Sequence, residues 1–589
     1  MTSYKHWAIA GACATALALG GCSAVIVAQP GSTTTGSGTV TEATAPTVPD
    51  SVAAVLASSL PSAAADADFT WDAASEIAVN LSDSGSTGGA GVVVAGGVVT
   101  ITAPGTYRVS GTLSDGQLVV DGTGQGLVRL ILDGATVTNS SSSALTAKGV
   151  DKLVIVLAQG STNTLTDATS YVYPDAATTE PDAALFSDPD LIIGGDGALT
   201  INARSQDGIT SKDGLVIAGG AITVNSTDDA IKGRDYLIVS GGTLNIDAAG
   251  QGLKSTNDED EGAGYVLVSG GTVAVHATGE TDCVNAVTSA LISGGTMTLS
   301  CTADAIHADK QLVVDDGTIT VTESVEGLES AVLVINGGTV DVTSSDDALN
   351  ATDGTGSSST GGMGDWGGGG GMMPGDGSMP SGFPTDGSMP QFPGDGSMPS
   401  GMPTDRPAGM PTDMPSGMGD GSGGQGFPGR GGGDGSGMGG GMGGEAVEAA
   451  TLVIRGGTVT LNAQGDGLDS NGTVVLSGGE VVVYGPTNSG NGAIDVAGSF
   501  EISGGVLIAA GSSGMPSPPD ETSSQRWFSQ NLTLAAGDTI TITSGGARTE
   551  FTSAKTAQNI VVSTPDLGEE CATITMANGT TTTAQCYGG

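Results

Sequence analysis

The sequence is poor in aromatic, histidine and basic residues. Phe, Trp and Tyr make up 3% of the 589 residues, there are 3 histidines, and 17 Lys and Arg stand against 63 Asp and Glu, which gives a formal net charge of −46. So few aromatic residues do not suit a conventional globular core, whereas 101 glycines suit a thin, repetitive one. The negative field repels nucleic acid and attracts cations, although acidity can also serve solubility alone. Nucleic acid is therefore not an expected partner.

Long hydrophobic runs are missing after the N-terminus. Lys5 precedes the apolar run "WAIAGACATALAL", and "LGGC" ends at Cys22. The run is too short for a membrane span, and small residues precede the cysteine. This resembles a bacterial lipoprotein signal over residues 1–22, with Cys22 lipidated; the alternative is an ordinary signal peptide with a chance cysteine. We expect a flexible tether over residues 23–66, an extracytoplasmic protein that contacts the membrane only through lipid, and a monomer.

A short acidic motif recurs along the chain. An acidic or equivalent residue is followed by a small residue and then an aliphatic one, mostly in steps of about 22 residues. The positions are Asp207, Asp229, Gln251, Asp282, Asp304, Glu326, Asp347 and Asp466. Between them lie "GG" turns and short alternating strands, as in "LIVSGGTLNIDA". Such units bury an apolar face only when stacked, so the sequence predicts an all-β parallel β-helix over residues 67–351 and 450–515. A sandwich or a propeller fits the fixed step poorly.

The remaining segments differ in composition. Residues 352–449 are rich in Gly, Met and Pro and are predicted to be a disordered insert. Residues 516–589 are predicted to form a β-rich cap that ends in a hairpin around Asn578-Gly579. That hairpin places Cys571 opposite Cys586, which favours a disulfide in an exported protein. Cys283 and Cys301 are a candidate second pair.

Stacking explains the recurring aspartates. Equivalent residues of successive coils lie about 4.8 Å apart, so Asp207 and Asp229 form a column, as do Asp282 and Asp304. Discrete metal sites are expected around Asp207 and Asp229 and around Asp304 and Asp347. Carboxylates at that distance repel unless a cation lies between them, and oxygen ligands suit Ca²⁺. Asp228 and Asp346 add charge beside the columns. The alternative is that these aspartates are solvated corner residues chosen for turn geometry.

Three segments carry a family resemblance: "DGITSKDGLVIAGGAITV", "EGLESAVLVINGGTVDVTSSDDALNA" and "GPTNSGNGAIDVAGSFEISGGVLIAAGSSG". In this order they resemble a bacterial family of extracellular carbohydrate-binding proteins, over about residues 70–565 without the insert. The resemblance implies a right-handed, pectate-lyase-like parallel β-helix that binds calcium and cellulose or acidic polysaccharides. By this resemblance, the residues expected to bind calcium are Asp207, Asp228, Asp229, Asp304, Asp346, Asp347 and Asp466. Gln251 departs from an unbroken acidic row.

These observations leave three functions open. The first is a surface lipoprotein that binds extracellular polysaccharide through a calcium-supported β-helix, with Tyr236 and Tyr265 as candidate glycan contacts. The second is a calcium-dependent uronate lyase, in which Lys232 or Lys254 would remove a proton beside a metal-bound carboxylate. The third is a non-catalytic structural adhesin of the cell envelope. Ion pairing with neighbouring carboxylates is the alternative role of the two lysines.

Overall fold

The computed structural model describes residues 46–122, 126–354 and 447–589. Within these ranges the protein is all-β, as predicted: the helices are Val52–Leu56 and the single-turn 3₁₀ segments Asp66–Phe69 and Ala73–Ser75. The predicted signal with Cys22, the first part of the predicted tether, and residues 355–446 of the predicted insert lie outside the described residues. No helix in the described ranges has the length and apolarity needed to span a membrane.

Most strands belong to three ladders of parallel pairs, which we call ladders A, B and C. Ladder A contains Ile77–Ser82, Gly105–Leu113, Leu127–Thr138, Lys152–Leu157, Asp190–Gly195, Gly214–Ile217, Tyr236–Val239, Tyr265–Val268, Ser289–Ser300, Ile306–Glu323, Leu328–Ile335, Thr451–Ile454, Thr473–Tyr484 and Phe500–Gly511. Ladder B contains Thr162–Thr166, Ala198–Ala203, Ala221–Ser226, Thr243–Ala248, Thr272–Ala277, Thr339–Thr343 and Thr458–Asn462, and also the second halves of long ladder A strands. Ladder C contains Val98–Ile101, Gln117–Asp121, Leu145–Lys148, Ala183–Ser187, Asp207–Ser211, Ile231–Gly233, Leu253–Ser255, Val284–Ala286, Leu349–Ala351, Leu468–Ser470 and Ile494–Val496, together with the starts of Ile306–Glu323 and Leu328–Ile335.

The pairing register follows the repeat found in the sequence. Ile209 pairs with Ile231, and Ile231 pairs with Leu253, so each layer of three strands lies on the preceding layer. The layers before and after residues 352–449 stack directly on each other, because Leu349 pairs with Leu468. The aliphatic side chains of all three ladders point into one buried core, in which these five positions are all fully enclosed. The parallel arrangement of the strands is therefore observed, and it places equivalent side chains of successive layers above one another.

The "GG" turns allow the layers to approach one another. Gly220 and Gly242 have φ values of +99° and +89°, which side chains rarely tolerate. A Cβ atom on Gly242 would lie 2.7 Å from the carbonyl oxygen of Gly220 in the layer before it. The turn therefore needs glycine for its backbone conformation and for the close contact.

Residues 46–76 cover an outer face of ladder A. Apolar side chains such as Val216 and Ile238 point outward there and form a second buried cluster with Val52 and Val55. The prediction of a flexible tether as far as residue 66 is wrong for residues 46–66, because these residues shield an apolar face that would otherwise be exposed. The composition of the segment, rich in Ala and Ser, gave no sign of this role.

Antiparallel strands follow the last parallel layer. Ala557–Ser563 pairs with Phe500–Gly511 and with Trp527–Leu534, and a separate sheet contains Thr539–Ser544, Ala547–Thr552, Thr573–Met576 and Thr581–Thr583. At the opposite end, Thr87–Gly88 pairs antiparallel with Ile77–Ser82, and Val92–Ala95 pairs antiparallel with Val98–Ile101. These pairs cover the open ends of the parallel ladders, which limits edge-to-edge association.

Two disulfides lie within the described residues. Cys283 and Cys301 have Cα atoms 5.7 Å apart, and Cys571 and Cys586 have Cα atoms 5.4 Å apart. The hairpin register differs by one residue from the expected one, because Thr575 pairs with Thr581 rather than with Thr582. The turn is therefore longer than the two-residue turn that Asn-Gly favours.

Candidate functional site

Two neighbouring columns of polar side chains run along ladder C, and we call them together the polar strip. The first column contains the motif residues Asp207, Asp229, Gln251, Asp282, Asp304, Glu326, Asp347 and Asp466. The second column lies three residues later in each layer and is fixed by the strand register. Its residues are Thr210, Lys232, Lys254, Asn285, His307, Glu329, Asn350, Asp469 and Asp495.

Carboxylates of the first column bind the backbone of the next layer. An Asp229 Oδ1 atom accepts a hydrogen bond from the N–H of Gln251 at 3.0 Å, and Asp282 Oδ1 accepts one from Asp304 at 3.1 Å. Asp347 Oδ1 accepts one from the N–H of Asp466 at 2.5 Å. One oxygen of these carboxylates is therefore used to join layers, which gives the acidic repeat a structural role whether or not a metal binds.

The strip is charge-compensated at its N-terminal end. Lys232 Nζ forms an ion pair with Asp207, and Lys254 Nζ lies 2.9 Å from Asp229 Oδ2. Burial opposes the charged form of Lys232, but the attraction of Asp207, Asp182 and Asp229 is larger and raises the pKa of this lysine. Burial also raises the pKa of Asp207 to about 6 despite the nearby lysine.

A raised lysine pKa does not suit general-base catalysis. A base must be neutral to accept a proton, and its pKa should lie near the working pH. Lys232 is instead held as an ammonium ion by three carboxylates. Ion pairing is therefore the role that the geometry gives to Lys232.

The middle of the strip is centred on His307. Its Nδ1 lies 2.9 Å from Glu329 Oε2 and 3.5 Å from Asp304 Oδ2, and its Nε2 lies 3.1 Å from Asp309 Oδ1. Burial disfavours the imidazolium, but the bonds to the three carboxylates raise the pKa of His307 to about 12. The side chain is therefore a cation at neutral pH, and it reduces the need for a metal at Asp304.

The C-terminal part of the strip, which we call the acidic end, is rich in carboxylates whose pKa values are raised. Burial and the charges of Glu329 and Asp304 raise the pKa of Glu326 to about 9. Burial and the charges of Asp347, Asp466 and Asp495 raise the pKa of Asp469 to about 9.

The same effects raise the pKa of Asp347, to about 7, with burial again the largest cause. Carboxylate oxygens of Asp466, Asp469 and Asp495 lie within 4.8 Å of one another. Within the described residues no Lys, Arg or His forms an ion pair with Asp347, Asp469 or Asp495. Among the described residues, these three carboxylates therefore have no counterpart to the ion pairs that Lys232, Lys254 and His307 form elsewhere in the strip.

The acidic end also contains the buried side-chain amide of Asn350, which pairs in register with Asp469. Asn350 is 8% exposed, and its Nδ2 donates a hydrogen bond to Glu326 Oε2 at 2.7 Å. Its Oδ1 is buried and has no hydrogen-bond partner. An unpaired buried acceptor beside raised-pKa carboxylates is unfavourable for the protein alone and is suited to a divalent cation with oxygen ligands. The residues at this end therefore fit a hard cation such as Ca²⁺.

The seven residues predicted to bind metal are divided among these environments. Asp207, Asp228 and Asp229 have carboxylate oxygens within 4.8 Å of one another, and Lys232 and Lys254 form ion pairs with Asp207 and Asp229. Asp304 lies beside His307, whereas Asp346, Asp347 and Asp466 lie at the acidic end. The prediction did not include Glu326, Asn350, Asp469 or Asp495. The sequence carried a signal for Asn350 and Asp469, since each follows a motif position by three residues.

The predicted glycan contacts are corrected by the structure. Tyr236 and Tyr265 are 4% and 1% exposed, and their rings stack with centroids 5.5 Å apart. Tyr236 Oη accepts a hydrogen bond from the N–H of Ala63 at 2.8 Å, and Tyr265 Oη donates one to the carbonyl of Leu60 at 2.7 Å. The N-terminal segment therefore covers both rings, and they are not available to a polymer.

The part of the fold that carries the polar strip as far as Asn350 lies in a region that matches carbohydrate-binding proteins. Residues 95–364 match the family model described as "Carbohydrate-binding domain-containing protein". A carbohydrate-binding domain-containing protein of Acetivibrio thermocellus is 42% identical over 128 residues, which are 22% of this chain and 45% of that protein. The chain thus spans less than half the length of this curated relative. The predicted resemblance to carbohydrate-binding proteins is confirmed at this level.

One solved structure is also similar. It is described as the polysaccharide lyase-like protein from C. thermocellum, a gadolinium derivative. The identity is 32%, and the match covers 42% of this chain and 96% of that chain with a TM-score of 0.38.

Proposed function

We propose that this protein binds extracellular polysaccharide, acidic or cellulosic, through calcium held at the acidic end of the polar strip. The observation that carries the proposal is a group of raised-pKa carboxylates, Glu326, Asp347 and Asp469, in the same layer as Asn350 and in the layers next to it, together with the unpaired Oδ1 of Asn350. The protein would be a lipoprotein anchored through Cys22, and the three ladders would form one right-handed β-helix. Binding by a non-enzymatic protein is favoured over the lyase, because Lys232 is ion-paired.

The protein's own residues would have separate tasks in this binding. Asn350, Asp347 and Asp469 would hold the cation, while the backbone hydrogen bond from Asp466 to Asp347 would fix the orientation of one carboxylate. Bound calcium would supply the positive charge that attracts sugar carboxylate and hydroxyl oxygens.

Retention on immobilised polygalacturonate tests the proposal. We expect the protein to be retained with CaCl₂ and released by a chelator, because the carboxylates of protein and polymer repel each other without the cation. Asp469→Asn should weaken retention by roughly tenfold, equivalent to about 1.4 kcal/mol, since it removes one charged ligand. Asp341→Asn, an exposed aspartate on ladder B, is the matched control and should bind like the unaltered protein.

The same samples distinguish binding from cleavage. Absorbance of unsaturated uronate product should stay flat during incubation with the polymer. A chelator-sensitive rise in this absorbance would replace the binding function by the lyase. Retention that does not respond to chelator or to Asp469→Asn would contradict the assignment to the acidic end.

A further inference from the structure

A separate cavity of about 700 Å³ opens on the outer face of ladder A, beside the N-terminal segment. Its floor contains Ile131 and Val156, which pair in register and are almost fully buried. The next position in this column is Gly194, which pairs with Val156. A Cβ atom on Gly194 would lie 2.4 Å from the ring of Phe69. The glycine therefore lets the phenyl ring lie against the strand and form one wall of the cavity.

Trp71 forms a second aromatic part of the lining. Its indole Nε1 donates a hydrogen bond to Glu76 Oε1 at 2.8 Å, and the guanidinium carbon of Arg129 lies 5.5 Å from the ring centroid. Arg129 is itself fixed, because its Nε donates to the carbonyl of Asp68 at 2.7 Å. The indole is thus held in one orientation, half-buried and in contact with the cavity. In contrast to Trp71, the aromatic side chains of Tyr236, Tyr265 and Trp527 are buried.

The rim of the cavity is polar and carries no spare positive charge. It includes Arg108, Asp133, Gln159 and Asp196. Arg108 Nε lies 2.6 Å from Glu76 Oε2 and its Nη1 lies 3.0 Å from Asp133 Oδ2, so its charge is already compensated. Asp133 and Asp196 leave the rim acidic. An anionic sugar would be repelled here, whereas neutral hydroxyl groups can donate hydrogen bonds to these carboxylates.

We propose that this cavity binds a neutral pyranose ring of a polysaccharide without help from a metal ion. The volume lies within the range of about 300–1,000 Å³ that small-ligand sites occupy. The C–H face of the sugar would lie on Trp71 and Phe69, because aromatic rings provide rigid apolar area. The sugar hydroxyls would contact Asp133, Gln159 and Asp196. This site differs from the polar strip in place, in the charge of its ligand and in its independence of calcium.

Calorimetric titration in the presence of chelator tests this proposal separately from the calcium site. The probes are soluble β-1,4-linked hexasaccharides of glucose, mannose and xylose. We expect at least one to bind the unaltered protein, and Trp71→Ala to weaken that binding by about tenfold or more. Gln159→Ala and Asp196→Ala should each weaken it severalfold. Both residues are exposed, so neither variant threatens folding.

Asp188→Ala, at another exposed aspartate, is the matched control and should bind like the unaltered protein. Failure of all three probes to bind overturns the proposal. It is also overturned if Trp71→Ala and Asp196→Ala bind normally. Binding that disappears with chelator would assign the sugar to the polar strip instead. Retention on polygalacturonate is expected to be unchanged in these variants, so the two sites can fail independently.

Discussion

Calcium is expected to raise the melting temperature of this protein by roughly 5 °C at pH 8 and by much less at pH 5. The reason lies in Glu326 and Asp469, whose pKa values in the folded protein are raised to about 9 by burial and by neighbouring carboxylates. In the unfolded chain the same groups ionise at a pH of about 4. At pH 5 they are protonated in the folded protein and bind a cation poorly.

The sign of the pH effect without calcium follows from the same values. Between about pH 4 and pH 9 the folded protein holds protons on Glu326 and Asp469 that the unfolded chain has lost. Their contribution to stability is therefore present at low pH and is lost as the pH rises through this window. Asp347, with its pKa raised to about 7, acts in the same direction over a narrower range. Chelator-treated protein should consequently unfold at a lower temperature at pH 8 than at pH 5.

Asp469→Asn separates charge repulsion from cation binding. Without calcium at pH 8 this variant should be more stable than the unaltered protein by about 1–3 kcal/mol, because the folded protein no longer has to hold on Asp469 a proton that the unfolded chain has lost. It should also lose most of its response to calcium. Thermal unfolding followed by circular dichroism measures both effects, with Asp341→Asn as the control. A calcium response that is equal at the two pH values, or intact in Asp469→Asn, would contradict the location of the site.

The sequence allowed the layers to be predicted because their spacing is a local property. Steps of about 22 residues place Asp207, Asp229 and Asp347 in one column, and the observed register agrees with this. The second column could also be read from a constant offset of three residues, although Asp469 and Asn350 were not recognised. Their environment depends on which layers stack together on the two sides of residues 352–449, and the spacing of the motif did not show this.

Features without a repeat could not be predicted in this way. Residues 46–66 carry no motif, yet they cover Tyr236 and Tyr265 from a distance of about two hundred residues along the chain. The cavity beside Trp71 likewise depends on where the N-terminal segment crosses Gly194. Such contacts are set by complementary apolar surfaces, which leave only a weak trace in composition.

Lys232→Met is expected to lower the free energy of unfolding by about 3–5 kcal/mol at pH 8, because it leaves the Asp207 carboxylate buried without its partner. Asp207 is 3% exposed, and its other polar contact is the Thr210 hydroxyl at 3.0 Å. Lys148→Met is the matched control, since the Lys148 side chain is 62% exposed and lies 3.5 Å from Asp121. An exposed pair of this kind contributes less than about 1 kcal/mol.

Acid and a second substitution should both restore stability to Lys232→Met. The pKa of Asp207, already raised to about 6 by burial, should rise further without the lysine, so the carboxyl becomes protonated and harmless near pH 5. Lys232→Met combined with Asp207→Asn should recover much of the loss, because the unpaired charge is gone. Denaturant unfolding at pH 5 and pH 8 measures these differences. A loss that is the same at both pH values and persists in the double variant would show that packing of the lysine stem, rather than its charge, stabilises this end of the polar strip.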